Sequence, residues 1–219
     1  MSIGIEGGYT NNFLKTSIMN RSYTRQVNLG GYSVGVFCKR SVSKVFAVRV
    51  GIELMQKNYS FERTEKYKGI YENYYNTYCQ LPVILQIDVF KRKKVKLAFN
   101  TGVFCAYWTF SKLKGTIPNA FNTTNEMDND GQSIQNFKLT NYSESYSFDK
   151  AIDNRLEFGL LSGVHFQFNL NPEKSIFAEY NYYWSLTDMQ KKYMVNQASK
   201  KNRTSVFVIG LLFTLQGKR

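Results

Sequence analysis

One histidine, three prolines and three cysteines are all that these 219 residues hold of those types. With His165 alone, a His-rich metal centre has no second imidazole, and any Ser-His-Asp arrangement would have to be built around this one position. So few prolines leave long stretches free to pair as strands. Cys38, Cys79 and Cys105 are odd in number and lack CxxC spacing. They share parity with apolar neighbours, so they read as buried thiols acting as small hydrophobes rather than disulfides or metal ligands. Long apolar runs are scarce as well. The longest, VFVIGLLF (206–213), is interrupted by Gly210 and is far shorter than the roughly 20 apolar residues of a transmembrane helix. No basic segment followed by an apolar one opens the chain. MSIGIEGGYT enters a strand pattern at once, as expected of a mature form carrying a start Met.

What is present is alternation. In NRLEFGLLSGVHFQF (154–168), Leu156, Phe158, Leu160, Val164, Phe166 and Phe168 fall on one parity. Arg155, Glu157, Gly159, Gly163, His165 and Gln167 fall on the other, the signature of a strand with two unlike faces. The same pattern recurs eight times, at about 3–12, 31–40, 45–56, 74–90, 95–110, 153–168, 175–187 and 203–215. Long polar links (13–30, 57–73, 111–152, 188–202) alternate strictly with short ones (41–44, 91–94, 169–174). In an antiparallel meander all long links then emerge at one end and all short ones at the other. Compact soluble domains keep connections short at both ends, whereas outer-membrane barrels have short periplasmic turns and long extracellular loops. Aromatics gather where strands meet the long links, at Tyr74, Tyr75 and Tyr78, at Tyr107, Trp108 and Phe110, and at Tyr182, Tyr183 and Trp184. These features predict one all-β domain over residues 1–219. It is an eight-stranded antiparallel up-and-down transmembrane β-barrel whose apolar parity faces lipid.

The net charge of +13 invites a nucleic-acid or anionic-membrane reading. Its distribution decides between them. The strand segments carry six basic and six acidic residues, the long links fifteen and nine, and the short links with the tail after Leu215 eight and one. The excess sits at the two ends, with no basic stripe along a strand face. That excludes a continuous nucleic-acid surface and suits anionic head groups on both sides of a membrane. The expected partners are outer-membrane lipid and lipopolysaccharide, with other envelope proteins or surface glycans at the loops, and the expected state is a monomer.

Several segments resemble the outer-membrane β-barrel family of Bacteroidota often called PorT-like, and more distantly the OmpA-type eight-stranded barrels. They are YCQLPVILQ (78–86), KVKLAFNTGVFCAYW (94–108), FDKAIDNRLEFGLLSGVHF (148–166), IFAEYNYYWSLTDM (176–189) and NRTSVFVIGLLFTL (202–215). Residues 1–70 match only in general character. The chain departs from the family pattern at Asn181, where an Arg is expected after AEY, and in ending FTLQGKR rather than on an aromatic. The resemblance implies a fold and a bacterial outer-membrane location; the name-giving member is associated with protein secretion. No catalytic residue comes with it.

Candidate sites follow from the polar parity. It carries Glu6, Lys39, Arg49, Glu53, Asp88, Lys96, Arg155, Glu157 and Glu179, with His165 on the same face. Charges inside a narrow barrel must pair, because isolated buried ions are costly. The expectation is a polar network in the lumen built from Arg49, Glu53, Asp88, Arg155, Glu157, His165 and Glu179, plugging an interior that eight strands leave just wide enough for side chains. EMDNDGQSIQNF (126–137) has Glu126, Asp128, Asp130 and Gly131 placed as in a calcium loop, but Phe137 stands where the bidentate Glu belongs. GGYSVG (30–35) has the wrong glycine spacing for a phosphate loop. No metal or cofactor is expected. The functional expectation is a non-enzymatic outer-membrane barrel acting through its extracellular loops, as an anchoring, interaction or envelope-secretion-associated protein. The alternatives are an outer-membrane enzyme with a rim active site and a soluble lipocalin-like barrel carrying lipid inside.

Overall fold

A computed structural model describes residues 1–16, 23–127, 133–192, 194–195 and 197–215. Within the acidic stretch 126–137 that resembles a calcium loop, residues 128–132, and with them Asp128, Asp130 and Gly131, lie outside the described residues. Ten strands form a single antiparallel sheet. They are β1 (Ser2–Thr16), β2 (Thr24–Ser41), β3 (Phe46–Gln56), β4 (Tyr59–Arg63), β5 (Tyr71–Lys91), β6 (Val95–Met127), β7 (Ser133–Ser145), β8 (Leu156–Asn169), β9 (Lys174–Ser185) and β10 (Lys200–Thr214). The sheet closes on itself. β1 pairs with both β2 and β10, β2 with β3 and then β4, both of these with β5, and the ring returns through β6, β8 and β9 to β10. This is an eight-position barrel, which leaves no edge strand in its wall.

Two features depart from eight plain strands. The third wall position is broken between Gln56 and Tyr59, giving β3 and β4. The break is sealed by amide side chains. Asn58 accepts from the Asn76 backbone N–H at 3.0 Å and donates to the Gly30 carbonyl at 2.8 Å, and Asn76 Nδ2 donates to the Lys57 carbonyl at 3.2 Å. Each backbone group freed from the ladder at a buried break needs such a partner. The 111–152 link, expected as a long polar loop, continues β6 outward and returns as β7. That strand pairs only with β6, so the hairpin stands beyond the barrel wall. Beyond the wall no apolar alternation is required of it, and the sequence shows none.

The apolar parity points outward around the ring. Ile5, Val36, Ile52, Val83, Val103, Leu160, Val164 and Ile209 are all well exposed. Tyr107, Phe110 and Trp184 lie toward the long-loop ends of this belt, and Phe46, Phe90, Phe168 and Phe213 toward the short-turn ends. A lipid-carrying soluble barrel needs the reverse, apolar inside and polar outside. The lipocalin-like alternative is thereby overturned. All three cysteines are free; Cys38 is exposed on the outer face, and Cys79 and Cys105 are half-buried.

Inside, small residues make room for large ones. Phe37 on β2 lies opposite Gly4 on β1, and Phe177 on β9 lies opposite Gly210 on β10. A Cβ at either glycine would run into the facing ring, so the two aromatics occupy volume that only glycine leaves open. Gly210→Leu is expected to destabilise the barrel by about 1–3 kcal/mol through overpacking. A urea-unfolding titration in lipid vesicles would read this as a lowered midpoint.

Candidate functional site

The inward charges fall into separate groups along the lumen. The central one is built on Arg49 of β3, which is 2% exposed. Its guanidinium donates to Glu179 of β9 at 2.6 Å and to Glu6 of β1, and lies 3.8 Å from Glu53 on its own strand. The same group sits over the Phe37 ring, 3.8 Å from its centroid. Glu179 is held on its remaining sides by His165 Nδ1 at 2.5 Å and Asn181 Nδ2 at 2.8 Å. Asn181 is the position where the resemblance led one to expect Arg. Here it accepts from Asn100, which accepts from Gln86, so amides continue the network across β9, β6 and β5.

A second group lies nearer the long-loop end. Glu157 of β8 accepts from Lys57 at 2.7 Å and from Asn202 of β10 at 2.9 Å. Asn202 is fixed in turn by Asn12, which Thr204 holds. The Lys57 ammonium sits between the Tyr78 and Phe104 rings, 4.8 and 4.7 Å from their centroids. Toward the short-turn end, Lys96 binds Asp88 at 2.6 Å, while the nearby Lys39 ammonium is buried without a hydrogen-bond partner among the described residues.

Among the expected network residues, Arg49, Glu53, His165 and Glu179 therefore meet in one group. Glu157 and Asp88 are each paired elsewhere in the lumen. Arg155 is different. It precedes β8, and its guanidinium donates to the Trp108 carbonyl at 2.8 Å while lying against the Tyr107 and Phe148 rings. Its chain position follows the parity, but the wall ends before it, and the side chain caps the rim instead of entering the lumen. The cation opposite Glu157 is Lys57, assigned from sequence to a loop. A signal for it exists: Ala47, Arg49, Gly51, Glu53 and Met55 are the inward positions of β3, and Lys57 continues their parity.

Above the belt, aromatic side chains line the mouth. Tyr59 stacks on Tyr74, with centroids 4.6 Å apart, and Trp108 stacks between Tyr78 and Tyr146 at 5.9 and 5.8 Å. The segments flanking the mouth are tied to each other. Asn154 N–H donates to the Met189 carbonyl at 2.9 Å, Lys191 N–H to Ile152 at 2.7 Å, and Asp153 bridges Gln190. Toward the β6–β7 hairpin, Glu72 accepts from the Tyr74 and Tyr142 hydroxyls at 2.5 and 2.8 Å. Burial, and then this bond to Glu72, push the Tyr142 hydroxyl up to about 12. Burial also holds the Lys200 ammonium below the ordinary lysine value, against the opposing pull of Asp188, Glu72 and Asp153. Among the described residues no group of three or more His, Cys, Asp or Glu is placed to hold a metal ion.

A closed antiparallel barrel with a polar interior, an encircling apolar belt and strands that run on past it at one end is an outer-membrane β-barrel. Residues 1–191 match the family model described as outer membrane protein beta-barrel domain, and the chain belongs to that family. Its location is the bacterial outer membrane. Solved structures similar to it include the outer membrane protein OprG from Pseudomonas aeruginosa, at a TM-score of 0.52 and 11% identity, covering 99% of this chain and 96% of that one. The attachment invasion locus protein Ail of Yersinia pestis is also similar, at a TM-score of 0.41 and 17% identity over 97% and 98% of the two chains. So is the outer membrane protease OmpT from Escherichia coli, at 0.49 and 8% over 98% and 97%. No curated protein matches the sequence.

Proposed function

We propose that this chain is a non-enzymatic surface-binding protein. Its barrel serves as a packed anchor and its extracellular end engages surface glycans, including the sugars of lipopolysaccharide. The observation carrying this reading is the contrast between the two parts. The lumen is filled by ion pairs and amides, while beyond the belt the chain builds an outward hairpin, an aromatic-lined mouth and two mutually bonded loops. A role within envelope secretion, as the PorT-like resemblance implies, would use the same end to bind a protein.

The test is retention. Vesicles carrying the full chain should be held on lipopolysaccharide-coated beads, and a variant with residues 117–141 replaced by a two-residue turn should lose most of that retention while remaining a folded barrel. Equal retention of the two would overturn the reading. Orientation is checked separately. An epitope inserted at Lys192 should be labelled on intact cells and one at Arg92 should not; labelling at Arg92 alone would invert the topology. The filled interior also predicts poor conduction. Planar bilayers should show no large, stable conductance, because the lumen is no wider than its own side chains.

A further inference from the structure

Above the belt the strand parity continues on the outer face, but its chemistry changes. On β6 the outward positions run Phe110, Lys112, Lys114, and the register sets Lys112 opposite Tyr75 and Lys114 opposite Asn73 on β5. Phe110 is one of the exposed aromatics at the long-loop end of the belt. At about 3.3 Å per residue, Lys112 and Lys114 stand roughly 7 and 13 Å further along the strand, and less than that in height because the wall is tilted. The polar layer of a bilayer is about 5–8 Å deep on each side, so Lys112 lies within it and Lys114 at or above its edge. The Lys114 ammonium is 5.4 Å from the centroid of the Tyr75 ring.

Higher on the same face the ladders set Arg25 of β2, Glu62 of β4 and Tyr71 of β5 side by side. These three line a cavity of about 550 Å³ together with Arg63, Glu65 and Lys68. That volume is within the range of small-molecule sites. Glu62 is already taken by Arg25 at 2.8 Å, and Arg63 donates to the Thr24 hydroxyl at 2.9 Å. Glu72, the next residue on β5, turns to the opposite face and accepts from Tyr74 and Tyr142. Among the described residues no carboxylate is ion-paired with Arg63, Lys68, Lys112 or Lys114. The face therefore sets five cations against Glu62 and Glu65, and one of those carboxylates is spent. Tyr71 is exposed in the cavity wall and offers a ring face to the C–H groups of a saturated ring.

From this placement we infer that the outer face of β2, β4, β5 and β6 just above the belt binds the phosphorylated sugars of lipopolysaccharide in the protein's own leaflet. A phosphate monoester carries nearly two negative charges at pH 7, which suits a pair of cations and not a single one. Phosphate nearer the bilayer meets Lys112 and Lys114. The sugar chain continues upward to the cavity, where Arg63 and Lys68 meet further phosphate and Tyr71 packs on a ring. This deepens the glycan reading above by naming phosphate as the recognised group, and rests on it for the identity of the glycan.

The test uses the full chain refolded into detergent micelles and immobilised by a terminal tag, with fluorescent lipopolysaccharide as the retained probe. Unlabelled lipopolysaccharide, its enzymatically dephosphorylated form and phosphatidylglycerol compete with it. Intact lipopolysaccharide should compete best, the dephosphorylated form about tenfold less well, and phosphatidylglycerol no better than that form. Lys112→Gln/Lys114→Gln and Arg63→Gln/Lys68→Gln should each weaken retention about fivefold to tenfold. Lys44→Gln/Arg92→Gln, at the short-turn end, should leave it unchanged. Raising the salt to about 0.5 M should weaken the wild type far more than either of the first two variants. Heat-modifiable gel mobility identifies the folded variants, and either of those two carries the test without the other. Equal competition by the dephosphorylated form or by phosphatidylglycerol, or unchanged retention in the folded variants, would overturn the inference. Bead retention of vesicles reads a different event, since a vesicle's own lipids cover this face and replacing residues 117–141 leaves its five cations in place. Phosphate-dependent binding in micelles without bead retention would leave this inference standing and sink the surface-binding reading. Bead retention with no phosphate dependence in micelles would do the reverse.

Discussion

Arg49→Met should cost the barrel more than any other single interior substitution, about 5 kcal/mol, at the upper end of what breaking a buried ion pair entails. The reason lies in the number of its partners. Glu6, Glu53 and Glu179 come from three strands and converge on this one guanidinium, and all are buried. Removing it leaves three buried carboxylates without the counter-charge they share. Equilibrium urea unfolding in lipid vesicles reads the loss, and where the variant fails to insert at all, gel mobility before and after boiling reports it. Arg49→Met combined with Glu6→Gln and Glu179→Gln should recover most of the deficit, because an amide is far cheaper to bury than a carboxylate. If Arg49→Met alone left the unfolding midpoint unchanged, the central network would not be what holds β1, β3 and β9 together.

The second large effect is expected at the Lys57–Glu157 pair. Glu157→Leu strands the Lys57 ammonium between two rings with no counter-charge and should cost about 3–5 kcal/mol. Lys57→Met should cost a similar amount for the mirror-image reason. The double variant should be less destabilised than either single one. A buried pair replaced by apolar groups of similar size is often neutral, because neither charge remains to be desolvated. An exposed loop change such as Lys192→Ala should stay within about 0.5 kcal/mol. Should Glu157→Leu preserve stability but abolish lipopolysaccharide retention, the lumen rather than the mouth would be the functional part of the molecule.

The barrel was legible in the sequence because a membrane wall imposes a period of two on every strand, and because loop lengths alternate with the side of the membrane. Those constraints are local, so NRLEFGLLSGVHFQF carries them without help from the rest of the chain. Inward parity likewise marked Arg49, Glu53, Asp88, Glu157, His165 and Glu179 as lumen residues. It could not say which of them meet. In a tilted, sheared wall the facing residue lies on another strand, at a height that only the register fixes. The register of β3 against β2 and β5 brings Arg49 to Glu6 and Glu179, and the break after Gln56 sets Lys57 against Glu157. Parity also misled where the wall stops. Arg155 keeps the inward spacing, but it lies one residue before β8 begins, so its side chain turns to the rim carbonyls and rings. The mouth was out of reach for a different reason. Tyr59, Trp108, Asp153 and Lys200 are far apart in the chain, with no shared spacing, and they become one cavity only when the wall closes and the loops beside it bond to each other. The eight positions of the wall and its lipid-facing side were thus determined by sequence alone, since each follows from neighbours along the chain. The pairing of charges and the existence of the mouth cavity were decided by tertiary structure, since each depends on which strands the closed ring sets face to face.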